Sequence, residues 1–136
     1  MGSNPASLAA ADLNGDGITG LVVGDCTSPV VWILLGSSGA VFGTPTPVSV
    51  DACPVSLAVA DFNLDGIPDI ASANIMANSA SVLQGAGGGA FHAETLYDVA
   101  GQPAALVAAR VLSAQQPDLV VAGQVGRVSV LINATR

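Results

Sequence analysis

Positive charge is nearly missing from this chain. Its 136 residues include no lysine, three arginines and one histidine against ten acidic residues, a net charge of −7. Phosphate neutralisation needs a basic face, so nucleic acids and anionic membrane surfaces are not expected partners. Long apolar runs are missing too. Hydrophobic residues make up 51% of the chain, yet unbroken runs such as 30–35 are far shorter than the ~18 residues that cross a bilayer as a helix. No basic, apolar and small-residue segment opens the sequence, so a secretion signal is expected to be absent or already removed. With a single histidine and no nucleophile elbow or paired-carboxylate pattern, an enzyme is not expected.

The chain is instead rich in Ala, Val and Leu, with 16 glycines and 8 prolines. That mixture opposes disorder and suggests many short strands joined by turns. Self-similarity organises them. Pro5-Ala6-Ser7-Leu8, Pro54-Val55-Ser56-Leu57 and Pro103-Ala104-Ala105-Leu106 recur at intervals of 49 residues (54 − 5 and 103 − 54). Without gaps, 5–53 and 54–102 agree at 16 of 49 positions spread along the whole unit, which implies a repeated structural unit rather than one copied motif.

Within a unit the apolar runs are too short for helices and are broken by Gly, Pro and Asp-rich turns. Four strands per unit follow, in the second unit at about 56–60, 69–74, 80–84 and 94–99. Near-continuous apolar strands suit sheets covered on both faces. The expected fold is therefore all-β: β-propeller blades of four antiparallel strands, with blade 1 at 5–53, blade 2 at 54–102 and an incomplete blade 3 at 103–136. A β-solenoid is the weaker alternative. Three blades leave two open sides, so completion by a homo-oligomer is expected, a dimer giving six blades, or else by the remainder of a longer propeller.

Two turns carry recognisable chemistry. The stretch 61–69, Asp-Phe-Asn-Leu-Asp-Gly-Ile-Pro-Asp, places hard oxygen donors at positions 1, 3, 5 and 9, a sharp-turning Gly at 6 and a backbone carbonyl at 7, a set that suits Ca2+. The stretch 12–20 repeats this spacing but ends on Gly20. An EF-hand is excluded, because its position 12 needs a bidentate Glu where Val23 and Ser72 stand.

The loop Asp-x-Asn-x-Asp-Gly-Ile at 49-residue spacing, followed by Gly39-Ala40-Val41-Phe42 and Gly88-Gly89-Ala90-Phe91, resembles FG-GAP or VCBS-type repeats, the blades of integrin α-subunit-like propellers. The resemblance covers almost the whole chain. It implies calcium in the turn between a blade's first two strands, held by Asp61, Asn63, Asp65, the Ile67 carbonyl and Asp69, and in blade 1 by Asp12, Asn14, Asp16 and Ile18. Two bound ions would change the formal charge from −7 to −3 (−7 + 4). The third unit has Arg110, Ser113, Ala114 and Gln115 at the metal positions and is expected to bind none. There Arg110 and Asp118 are expected to form an ion pair in place of the metal bridge.

Cys26 follows the second strand of blade 1 and Cys53 lies in the connection to blade 2, both at turns on one propeller face. A disulfide and two small buried thiols both suit these positions; the calcium loops favour an oxidising exterior and so the bridge. His92 reads as a surface residue. Trp32, aligned with Ser81 and Val130, is expected to fill a gap between blades, and Phe42 and Phe91 to anchor outer hairpins in the core. The sequon 133–135 is too short a pattern to add weight.

The expected function is a non-catalytic, calcium-stabilised propeller module, extracellular or at a cell surface, for scaffolding, adhesion or binding of a protein or glycan ligand. A lectin-like carbohydrate-binding propeller and an accessory part of a polysaccharide-degrading enzyme are the alternatives.

Overall fold

A computed structural model describes residues 1–112 and 115–131. Within them the chain is all β, with no helix. Blade 1 is an antiparallel sheet of β1 (Pro5–Ala11), β2 (Gly20–Asp25), β3 (Val30–Leu34) and β6 (Thr46–Ser49), in the order β1-β2-β3-β6; β4 (Gly36–Ser37) and β5 (Val41–Phe42) form a small separate hairpin. Blade 2 repeats this. Its sheet is β7 (Pro54–Ala60), β8 (Asp69–Asn74), β9 (Ser79–Leu83) and β12 (Thr95–Asp98), with the hairpin β10 (Gly85–Gly87) and β11 (Ala90–Phe91). Blade 3 shows β13 (Pro103–Ala109), β14 (Asp118–Gly123) and β15 (Val128–Leu131). The four main strands of blade 2 fall where the sequence pattern puts them, within one or two residues at each end. The small hairpins are additional, and they use the glycine-rich stretches after each third strand.

Strand alternation explains the packing. On β2 and β3, Val22, Val31 and Ile33 point toward blade 2, where they meet Leu57, Val59, Ile70 and Leu83, with Leu13 plugging one end. The opposite face of blade 2 repeats the scheme against blade 3: Ala71, Ala73, Ala80 and Val82 meet Leu106, Leu119, Val121 and Leu131, with Phe62 at the position of Leu13. A central sheet is thus covered on both sides, and all six residues of β8 are buried. This accounts for the continuous apolar strands in the sequence.

Polar bonds fix the angle between blades at equivalent places. The Ser7 hydroxyl donates to the Pro54 carbonyl at 2.6 Å, and the Leu106 N–H donates to Ser56 Oγ at 3.1 Å. At the outer side, the Asp51 N–H reaches Ser81 Oγ at 3.4 Å and the Ala100 N–H reaches Ser129 Oγ at 3.3 Å. Between blades 1 and 2 this seam extends into a buried relay. Ser72 donates to Asn74, whose amide donates to Ser79 and Ser81, and these hydroxyls donate to Asp51 and Glu94. Each buried hydroxyl and amide N–H in the relay therefore has a partner.

The pairing register corrects one alignment. Ala73 pairs with Ala80 in blade 2, but Ala122 pairs with Val128 in blade 3, so the second turn of blade 3 is one residue shorter. Ser129, not Val130, therefore stands where Ser81 does. Trp32 is also corrected: its neighbours Val31 and Ile33 face blade 2, so Trp32 lies on the opposite face, half-buried, with Nε1 directed at buried Asp25 at 3.5 Å. It fills no gap between the blades of this chain. Phe91 packs against the core between blades 1 and 2, but Phe42, at the same repeat position, is exposed. The difference follows from neighbours. The blade 2 hairpin leans on Leu35 of blade 1, which crowds Gly89, whereas among the described residues no other blade flanks the blade 1 hairpin.

Candidate metal centre

Each β1–β2-type turn folds around its first aspartate. Asp12 Oδ1 accepts from the N–H of Gly15 at 2.8 Å and Asp16 at 3.2 Å, and its Oδ2 from Gly17 at 2.8 Å. Asp61 does the same with Asp65 at 3.1 Å and Gly66 at 2.8 Å. In both loops the amide of the Asn donates to the next Asp at 3.1 Å, and that Asp accepts from the Ile N–H at 2.8 Å. Thus Asp12, Asn14, Asp16 and Ile18 form one cluster, and Asp61, Asn63, Asp65 and Ile67 form its near copy. The main-chain N–H of Gly17 in particular holds the Asp12 carboxyl below its ordinary range.

The turn needs two left-handed residues, at the fourth and sixth positions. Blade 1 uses Gly15 (φ 77°) and Gly17 (φ 81°), whereas blade 2 uses Leu64 (φ 59°) and Gly66 (φ 82°). A leucine there is strained by Cβ crowding, and its side chain is half-exposed and contributes little burial. Leu64→Gly should therefore raise the stability of the protein by up to about 1 kcal/mol, the strain relieved less the entropy glycine adds to the unfolded chain. Denaturant unfolding measures it; a loss of 1 kcal/mol or more would mean that the leucine contacts outweigh the strain.

The ninth position behaves differently. Asp69 is fully enclosed, with Oδ2 accepting from the Phe62 N–H and Oδ1 from the Gly85 N–H, both at 2.8 Å. Burial raises its pKa above the ordinary carboxylate value, and the charges of Asp65 and Asp61 push the same way. The structure therefore brings three carboxylates into one electrostatic neighbourhood, with Asp69 as a brace between the loop and the small hairpin. Each oxygen of Asp69 keeps a second lone pair. In blade 1 the place belongs to Gly20, where a Cβ would lie 2.7 Å from the Leu34 carbonyl oxygen, so no side chain fits there.

Blade 3 retains the brace without the ligands. Asp118 Oδ2 accepts from the N–H of Val111 at 3.2 Å and Leu112 at 2.9 Å, and Val111 is the repeat equivalent of Phe62. Among the described residues Asp118 is bonded to these main-chain amides, and Arg110, its expected ion-pair partner, is exposed. Ser113, Ala114 and the sequon 133–135 lie outside the described residues.

Among the described residues no three His, Cys, Asp or Glu side chains converge on a single point. What each turn offers is two carboxylates, an amide oxygen and a nearby carbonyl, joined by Asp69 in blade 2. This donor set is all hard oxygen with excess negative charge, which fits Ca2+ and does not fit a soft metal.

Cys26 and Cys53 form a disulfide that links the end of β2 to the connection entering blade 2. Their backbones take part in a bond repeated three times: the N–H of Cys26 to the carbonyl of Asn4, Ile75 to Cys53, and Gln124 to Gln102. His92 is exposed, as expected. Sequence reasoning missed the main-chain bracing by Asp69 and Asp118; the signal available was that the ninth aspartate persists in blade 3 after the other ligand positions are lost.

Compared with known proteins, residues 12–72 match the family of FG-GAP-like repeats, a span that runs from the first loop through the whole of the second. No curated protein matches the chain. Over residues 12–72, which hold both acidic turns and run from blade 1 into blade 2, the chain thus carries an FG-GAP-like repeat.

Proposed function

We propose that the chain is a non-catalytic, calcium-stabilised β-propeller module that works outside the cell as a scaffold, adhesion or ligand-binding surface. The observation that carries this reading is the repetition of the acidic turn in blades 1 and 2, with five of its side-chain bonds shared, and the loss of its ligand residues from the sequence of blade 3. Two turns that only needed to reverse direction could do so with Asn, Asp and Gly in any arrangement. Keeping the same oxygens at the same offsets twice supports an ion as their common purpose. Asp61, Asn63, Asp65, the Ile67 carbonyl and Asp69 would hold it in blade 2, and Asp12, Asn14, Asp16 and the Ile18 carbonyl in blade 1. Bound calcium supplies charge neutralisation and a cross-link within each turn; no helix pair stands beside either turn to be moved, so the role is structural.

The disulfide supports an oxidising exterior, where FG-GAP-like repeats are typical. A ligand would find its place in the cleft of about 540 Å³ between the outer edges of blades 1 and 2, where Phe91, His92 and Glu94 face Thr46 and Ser49.

Calcium that binds only the folded state stabilises it by about 2.7 kcal/mol per site at ~100-fold excess over Kd. Thermal unfolding should therefore move to clearly higher temperature on adding calcium and fall back in excess chelator. Asp61→Asn combined with Asp65→Asn should abolish about half the shift. An identical melting curve with calcium and with chelator would remove the calcium from this reading.

A further inference from the structure

We infer that the cleft between the outer edges of blades 1 and 2 binds a primary alkylammonium group, that Glu94 receives it, and that the buried relay behind Glu94 holds its carboxylate in position. The inference deepens the ligand-binding reading above and rests on it. The relay ends at the cleft. Ser81 is fully buried and donates its hydroxyl to Glu94 Oε2 at 2.6 Å, while its own oxygen accepts from the Asn74 amide at 2.8 Å and from the Asp51 N–H at 3.4 Å. A hydroxyl that accepts in this way is polarised into a stronger donor, and its single proton is committed to Glu94. Asn74 is fixed in turn by Ser72 at 2.9 Å and Ser79 at 3.1 Å, and Ser79 is tied to Asp51 at 2.9 Å.

The fold does not require this relay. Between blades 2 and 3 the same level of the joint is closed with Val121, Gly123 and Ala100 in the places of Ser72, Asn74 and Asp51, and Ser129 alone is kept where Ser81 stands. Burying polar side chains where smaller or apolar ones close an equivalent joint adds a desolvation cost that the new bonds do little more than offset. The gain is a carboxylate with one oxygen pinned, while the other oxygen of half-buried Glu94 keeps its acceptor capacity at the cleft. Charge then selects the ligand. Among the described residues no arginine or lysine lines the cleft, and exposed His92 is its other ionisable side chain. A fixed carboxylate without a basic neighbour attracts a cation. Phe91 and Pro47 offer apolar surface to an alkyl stem, and the hydroxyl oxygens of Thr46 and Ser49 can accept from an ammonium. The chain has no lysine, so no side chain of its own supplies the group.

Titration of the isotope-labelled full chain in calcium, followed through its backbone amide resonances, tests the inference. The probes n-butylamine and Nα-acetyl-lysine methylamide, both cationic at neutral pH, should bind at about millimolar strength and shift the amides of Thr46, Ser49, His92 and Glu94. The uncharged Nα-acetyl-norleucine methylamide should not bind. Tighter binding of the lysine derivative than of n-butylamine would assign the ammonium to a protein side chain, and equal binding to a free amine. Glu94→Gln should weaken both amines about tenfold or more. Ser81→Ala should weaken them severalfold with the carboxylate still present, and Ser81→Thr, which restores the hydroxyl, should recover the affinity. Ser72→Val removes a relay hydroxyl that does not touch Glu94, so it should leave affinity unchanged even where it lowers stability; this separates positioning from a merely structural role. Failure of both amines to bind, equal binding of the norleucine derivative, wild-type affinity in Glu94→Gln, or equal effects of Ser81→Ala and Ser72→Val would overturn the inference. A protein that ignores amines but keeps its calcium-dependent melting shift would lose this inference and retain its calcium-stabilised module; loss of the shift in a protein that still binds amines would do the reverse.

Discussion

Replacing Asp69 by Ala should lower stability by roughly 2–6 kcal/mol, because two buried main-chain donors, the N–H groups of Phe62 and Gly85, would lose their acceptor at about 1–3 kcal/mol each. Against a total of about 5–15 kcal/mol for a domain, this is a large share, and thermal unfolding should begin at temperatures lower by about 10 °C or more. Asp69→Asn keeps one acceptor oxygen and should cost about half as much. Asp118→Ala provides the internal comparison. It removes the acceptor of Val111 and Leu112 in a blade without metal ligands, so it should destabilise the protein while leaving the amount of bound calcium unchanged. If Asp69→Ala unfolds at the wild-type temperature in chelator, the bracing role is wrong and the residue acts only through the ion.

The second large effect comes from the disulfide. Cys26 and Cys53 close a loop with a sequence separation of 27. The chain-entropy relation for a loop of this length gives about 3.5 kcal/mol. The double variant Cys26→Ser and Cys53→Ser should lose about that much in urea unfolding, with no change in the calcium bound per chain. Both single variants should match the double, since either one removes the cross-link. A loss below about 1 kcal/mol would mean that the repeated main-chain bond from Ile75 to Cys53 already holds this turn in the unbridged protein.

Much of this architecture could be read from the sequence because it is periodic. The 49-residue spacing locates every main strand, and the same spacing fixes which oxygens belong to a turn. What could not be read depends on neighbours. Phe42 and Phe91 are identical in the repeat but differ in burial, since among the described residues only the blade 2 hairpin has another blade beside it. Trp32 reads as a seam residue in the repeat because its equivalents, Ser81 and Ser129, lie in seams, whereas among the described residues no other blade lies against its own face. The single-residue shortening between Gly123 and Val128 is invisible without the pairing register, as apolar strands tolerate a one-step slip in an ungapped comparison. The ninth aspartate looked like a ligand alone because a carboxylate beside an acidic loop carries the same letters whether it faces an ion or a backbone amide.

The central claim is that blades 1 and 2 each hold one calcium ion and blade 3 holds none. Equilibrium dialysis against radioactive calcium measures this directly. The account predicts two ions per chain, falling to one in the Asp61→Asn, Asp65→Asn variant; no bound calcium in the folded wild-type protein, or an unchanged count in that variant, would contradict it.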